Sequence, residues 1–75
     1  MIKITAAYPA KDGERILEFG PFDYVQWTYD MIRVGLGGKD DDAFGWYEDG
    51  LWMVNERYVT DGGPNSFSDL TAVPA

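Results

Sequence analysis

Apolar and polar residues alternate at the start of the chain. The apolar positions fall on every second residue from Ile2 to Tyr8, the period expected of a half-buried strand. Pro9 ends this run, and a turn at residues 11–13 leads into residues 15–19, which fit a short second strand beside the first. The opening segment therefore predicts two neighbouring strands.

Residues 22–38 support two interpretations. Val25, Trp27, Tyr29 and Met31 alternate as in a strand, but the ends carry helix signals. Asp23 is placed to cap a first turn, Gln26 completes a capping box, and the glycines at 35, 37 and 38 would end a helix. We favour the helix. It would place Val25, Tyr29, Ile32 and Leu36 against the core and leave Asp23, Gln26, Asp30, Arg33 and Gly37 in solvent.

The second half of the chain reads as strands. Residues 43–47 and 51–59 flank Glu48-Asp49-Gly50, and Asp-Gly supplies the positive φ angles of a tight hairpin. After a turn-rich loop at 61–65, residues 67–73 fit one last strand. The sequence thus predicts a single α+β domain spanning residues 1–75, with one helix packed on a three- to five-stranded antiparallel sheet.

The composition restricts the possible functions of the protein more than it restricts the possible folds. Apolar residues make up 45% of the 75 positions, which predicts a folded domain, and the formal net charge of −7 would repel nucleic acid and anionic membranes. The chain has no cysteine and no histidine, which removes thiolate nucleophiles, Ser-His-Asp triads and the usual zinc ligands. No secretory signal or membrane span is evident, so a cytoplasmic location is expected, in a bacterial host cell if the protein is phage-encoded.

Each remaining candidate for a catalytic or metal-binding site lacks a feature that such a site requires. Ser66 and Ser68 have no base nearby in sequence, and a Glu48–Glu56 carboxylate pair lacks an enclosed cleft. Asp40-Asp41-Asp42 does not have the alternate spacing of a calcium loop. We therefore expect a non-enzymatic protein with no metal and no cofactor.

Acidic and aromatic residues cluster around the predicted hairpin. Acids lie on both sides of a strand that holds Phe44, Trp46 and Tyr47, and such an arrangement could imitate the phosphates of nucleic acid. Trp27, Trp46 and Trp52 are expected mainly in the core, although Trp46 and Tyr47 are the better candidates for contact. The predicted partner-binding residues are Asp40, Asp41, Asp42, Trp46, Tyr47, Glu48 and Asp49.

Two resemblances bear on function. The first fifteen residues, MIKITAAYPAKDGER, resemble the opening strand and turn of EthD-type proteins, which implies a small dimeric α+β barrel. In size and acidity the whole chain resembles small phage- and mobile-element-encoded inhibitors of the anti-CRISPR kind, many of which imitate DNA. That likeness implies a stoichiometric inhibitor whose partner is a basic surface of a nucleic-acid-binding protein or complex. The alternatives are an interaction module, such as an immunity protein, antitoxin or virion component, and an EthD-like protein.

Overall fold

A computed structural model describes residues 1–38, 41–60 and 62–75, and nearly all of its regular structure is β-strand. One 3₁₀ helix, Glu56–Tyr58, lies between the sixth and seventh strands. The strands are β1 Ile2–Ala10, β2 Gly13–Phe22, β3 Tyr24–Trp27, β4 Met31–Gly35, β5 Asp42–Glu48, β6 Leu51–Val54, β7 Ser66–Phe67 and β8 Thr71–Pro74.

The strands form two antiparallel sheets. One has three strands in the order β2-β1-β8, and the other has five in the order β3-β4-β5-β6-β7. Only Asp23 separates β2 from β3, so the chain passes from the first sheet to the second almost without a loop. Gly20 lies within β2 where its register with β1 is irregular, and its φ of +118° is open to glycine and strained for other residues.

The core lies between the two sheets and is rich in phenylalanine. Phe44 of β5 contacts Phe19 and Phe22 of β2 edge to face, with ring centroids 5.3 and 5.7 Å apart. These contacts join the two sheets at their centre. The buried apolar residues are Ile4, Ala6, Phe19, Phe22, Ile32, Val34, Phe44, Trp52, Val54, Phe67 and Leu70.

The prediction of an α+β fold with one helix on a sheet is wrong. Residues 22–38 form the hairpin of β3 and β4, and the 3₁₀ turn is the only helical element in the described part of the chain. Of the predicted helix core, Ile32 is buried and Val25 partly so, but Leu36 is exposed and Tyr29 is 95% exposed. The α+β barrel implied by the EthD resemblance is not observed either.

The helix prediction failed because its end signals serve a different structure. The Asp23 carboxylate does accept a backbone N–H, but that of Gly38, 3.0 Å away across the hairpin. The segment is also rich in β-branched and aromatic residues, which fit a pleated surface better than a helix. The strand alternation was the correct signal, interrupted by a turn at residues 28–30.

Most predictions that rested on local strand patterns are confirmed, but the strand predicted over residues 51–59 ends at Val54 and is followed by the 3₁₀ helix. The first two strands occur and extend beyond the predicted bounds, as Ile2–Ala10 and Gly13–Phe22. The hairpin around Asp49-Gly50 forms with φ angles of +53° and +82°. The predicted last strand is split into β7 and β8. Within the described residues, no helix is long and apolar enough to cross a membrane.

Candidate protein-binding surface

Two turns meet at one end of the five-stranded sheet. The Asp49-Gly50 turn reverses the chain between β5 and β6, which leaves Glu48 and Asp49 at that end. The backbone N–H of Tyr47 donates to the carbonyl of Asp30, 2.9 Å away, and holds the β3–β4 turn beside the β5–β6 hairpin. Acidic residues from two separate turns are therefore neighbours.

Exposed rings accompany these acids. Trp27 and Tyr47 both pack on the buried Trp52, with centroid distances of 5.4 and 5.1 Å, and are nevertheless 38% and 45% exposed. Tyr29, in the adjoining turn, is almost fully exposed. We call this surface the aromatic end; it consists of Trp27, Tyr29, Asp30, Tyr47, Glu48, Asp49 and Leu51.

The acids of the aromatic end keep their charge available. Among the described residues, Asp30, Glu48 and Asp49 form no salt bridge. The Glu48 carboxylate accepts a hydrogen bond of 3.2 Å from the indole Nε1 of Trp46, which leaves its negative charge in place. This end of the sheet therefore carries apolar rings together with three carboxylates that have no salt-bridge partner in the described part of the chain.

Trp46 lies on the opposite face of the sheet from the core. It pairs across the strands with Met31 of β4 and Met53 of β6, and its side chain is about one-third exposed. Its indole lines a groove of about 570 Å³ that continues along β6 to the 3₁₀ turn. Trp46 is thus an exposed residue, as is Trp27, and only Trp52 of the three tryptophans belongs to the core.

The predicted acids at residues 41 and 42 lie at the far end of β5, roughly 20 Å from the hairpin at the usual rise of a strand. Each is matched by an arginine. Arg33 Nε lies 3.3 Å from Asp41 Oδ2, and Arg57 donates to Asp42 Oδ2 over 2.9 Å. Their charges are therefore partly offset within the molecule. Asp40, the remaining predicted acid, lies outside the described residues.

Asp42 also anchors the 3₁₀ turn to the sheet. The Tyr58 hydroxyl donates to its carboxylate, and this hydrogen bond, aided by Arg57, holds the pKa of Asp42 below its ordinary value. Partial burial, together with the same hydrogen bond, raises the pKa of Tyr58 to about 12. These contacts give Asp42 a structural role in the fold.

The structure therefore places the predicted site residues in two separate groups. Tyr47, Glu48 and Asp49 lie together at the aromatic end, and Trp46 is joined to it through Glu48. Asp41 and Asp42 are at the other end of the strand. Sequence reasoning expected Trp27 and Tyr29 in the core, because it placed Tyr29 on the buried face of a helix and the tryptophans mainly inside. It placed Asp30 in solvent but did not bring it beside the hairpin acids, because the predicted helix was a separate element. The alternation from Val25 onward was the signal that could have placed them at a hairpin end.

Comparison with known proteins adds no assignment: no protein-family model, curated protein or solved structure matches this chain.

Proposed function

We propose that this protein is a stoichiometric inhibitor that docks on a basic surface of a nucleic-acid-binding protein through the aromatic end. The observation that carries the proposal is the cluster of exposed rings and uncompensated carboxylates at one end of the sheet. Clustered exposed rings mark interaction surfaces on small proteins, and aromatic residues commonly anchor interfaces.

Charge supports the proposed class of partner. With a net charge of −7 the protein is steered toward positive surfaces and away from phosphates. Arginine and lysine side chains that hold nucleic acid can pair with carboxylates and also stack on tyrosine and tryptophan rings. The aromatic end offers both kinds of contact, and its occupation of such a surface would exclude nucleic acid by competition.

The acids that contribute most to the proposed binding differ from those predicted from the sequence. Asp30 joins Glu48 and Asp49 as a principal acid, while Asp41 and Asp42 contribute less because Arg33 and Arg57 offset their charges. Surface ion pairs contribute little to stability, but they do reduce the local negative potential that a partner meets.

The first experiment is capture of partners from a bacterial lysate at low and high salt, followed by titration of the purified partner. The test variant is Asp30→Asn/Glu48→Gln/Asp49→Asn. Its matched control, Glu14→Gln/Glu56→Gln/Asp69→Asn, removes three exposed acids elsewhere on the surface that likewise form no salt bridge among the described residues. A further variant, Tyr29→Ala, tests the contribution of the aromatic rings, because it removes an almost fully exposed ring without opening the core.

We expect the test variant and Tyr29→Ala each to weaken binding by about tenfold or more, equivalent to about 1.4 kcal/mol, while the control binds like the wild type. Added nucleic acid should compete with the protein for its partner. Equal losses in the test and control variants would indicate a response to net charge alone. Unchanged binding by both the test variant and Tyr29→Ala would remove the aromatic end as the site.

A protein-interaction module is the second candidate, and Tyr29 is the observation that favours it. A ring that is 95% exposed can anchor an apolar interface without any help from charge. The effect of ionic strength separates the two functions. Binding to a basic surface should weaken as salt screens the carboxylates, whereas an apolar interface should persist in high salt.

A further inference from the structure

The groove beside Trp46 lies on the solvent face of the five-stranded sheet, and the proposed inhibitor function makes no use of it. Its volume of about 570 Å³ falls in the range of about 300–1,000 Å³ that is usual for small-molecule sites. Apolar and polar groups share the lining, whose side chains include Trp46, Met53, Asn55, Glu56, Arg57 and Asn65.

Partners outside the groove hold three of these side chains in place. The indole of Trp46 donates to Glu48, the Asn55 side-chain amide donates to the carbonyl of Ala43 over 3.2 Å, and the Arg57 guanidinium donates to Asp42. Met31 and Met53 flank Trp46 on the neighbouring strands. Side chains that are ordered before binding lose less entropy on binding, so the groove is pre-organised.

The lining selects for a neutral ligand that is rich in hydroxyl groups. Arg57 is the one cation among the lining residues, and it already pairs with Asp42, so the lining has no surplus positive charge that would favour an anionic ligand. Carboxamides both donate and accept, a carboxylate accepts, and a guanidinium donates. A hydroxyl group does both, so several adjacent hydroxyls can be satisfied by this mixed set.

The indole supplies the remaining contact. The face of an aromatic ring is electron-rich, and the C–H groups on one side of a pyranose ring form a flat, weakly positive surface that stacks on it. We propose that the groove is a binding site for a neutral saccharide, with the sugar ring on Trp46 and its hydroxyls directed to Asn55, Asn65, Glu56 and Arg57.

The proposal can be tested on an array of neutral and charged glycans probed with the full chain, displayed on a multivalent support so that weak binding is retained. The best-retained glycan is then titrated as a free oligosaccharide, with binding followed by tryptophan fluorescence and amide chemical shifts. Trp46→Ala removes the stacking face. Its matched control is Tyr24→Ala, because the two rings are 37% and 39% exposed and Tyr24 does not line the groove.

Asn65→Ala provides a variant with little risk to folding, since the Asn65 side chain is exposed and its backbone carbonyl still accepts from Val54. We expect retention of neutral glycans, a loss of affinity of about tenfold or more in Trp46→Ala, a smaller loss in Asn65→Ala, and wild-type affinity in Tyr24→Ala. Shift changes should concentrate at Met53, Asn55 and Asn65.

Several results would overturn the proposal. These are retention of no glycan by the folded protein, selection of charged glycans alone, or an affinity that neither Trp46→Ala nor Asn65→Ala changes. Shift changes in the groove on titration with extended peptides but not with saccharides would assign it to a peptide instead. None of these outcomes bears on the inhibitor proposal, which rests on the aromatic end.

Discussion

Asp42 shows how one side chain can serve the fold although its sequence context suggests binding. It stands in a run of three aspartates, yet it accepts hydrogen bonds from Tyr58 and Arg57 and so fastens the 3₁₀ turn to β5. The ring of Tyr58 packs on Phe22 and Phe44 in the core, which fixes the position of its hydroxyl. Removal of this acid should therefore affect stability before it affects binding.

The Asp42–Tyr58 contact predicts a pH dependence of stability with two limbs. The folded pKa of Asp42 lies below its ordinary value of 3.8, so its contribution is present above about pH 4 and is lost as the pH falls through the folded pKa. The pKa of Tyr58 is raised from 10.0 to about 12, so its contribution is present below pH 10 and is lost as the pH rises toward 12. Tyr58→Phe should flatten both limbs in thermal unfolding followed by circular dichroism.

Asp42→Asn is the companion variant, and the two changes should not be additive because they remove the same contact. A double variant that loses less stability at neutral pH than the sum of the two single losses would support the assignment. If Tyr58→Phe keeps the full pH dependence of the wild type, the hydrogen bond is not its source.

Two glycines on paired strands provide a second prediction at the scale of single residues. A Cβ at Gly45 would lie 2.5 Å from the backbone carbonyl of Met53, which cannot move without breaking the β5–β6 ladder. The three atoms nearest to a Cβ at Gly35 all belong to the ring of Tyr24, a side chain that is 39% exposed and can rotate away. Gly45→Ala should cost about 1–3 kcal/mol in urea unfolding and Gly35→Ala clearly less. The reverse order would contradict the close approach at Gly45.

At the scale of elements, the sequence was informative where structure is set locally. Alternation predicted β1, and the Asp-Gly pair predicted the β5–β6 hairpin, because a two-residue turn with positive φ angles needs no distant contacts. The β3–β4 segment differs, since its capping residues and its alternation indicate opposite structures. Pairing of β4 with β5 decides between them, and that contact is not visible in a local window.

The turn of the β5–β6 hairpin yields a prediction at this scale. Gly50 has a φ of +82°, where a Cβ is strained, so Gly50→Ala should destabilise the domain by about 1–2 kcal/mol in chemical unfolding. Asp49→Asn is the control, because asparagine tolerates the φ of +53° at that position and Asn-Gly is a favoured turn pair. Equal stability of the Gly50→Ala variant and the wild type would show that the turn adopts another geometry.

At the scale of the whole molecule, the candidate site was only partly predictable. Tyr47, Glu48 and Asp49 belong to a single hairpin, and their proximity follows from the sequence. Asp30 comes to the same surface only through the pairing of β4 with β5, and Arg57 reaches Asp42 only through the 3₁₀ turn. Neither contact leaves a local pattern, so sequence reasoning could not separate the free acids from the paired ones.

The association of the two sheets depends on Phe44. The last prediction concerns the effect of truncating this side chain on stability. Phe44 is fully buried and contacts rings on both β2 and the 3₁₀ turn. Replacement of such a residue by alanine costs about 3–5 kcal/mol, because apolar contacts are lost and a cavity remains. At about 0.05–0.15 kcal/mol per residue, a domain of this size has a total stability of about 4–11 kcal/mol. Phe44→Ala should therefore lose a large share of this stability and show a much lower melting temperature in calorimetry, whereas Phe44→Leu should show a smaller decrease. A cooperative transition at the wild-type temperature in Phe44→Ala would contradict a core shared between the two sheets.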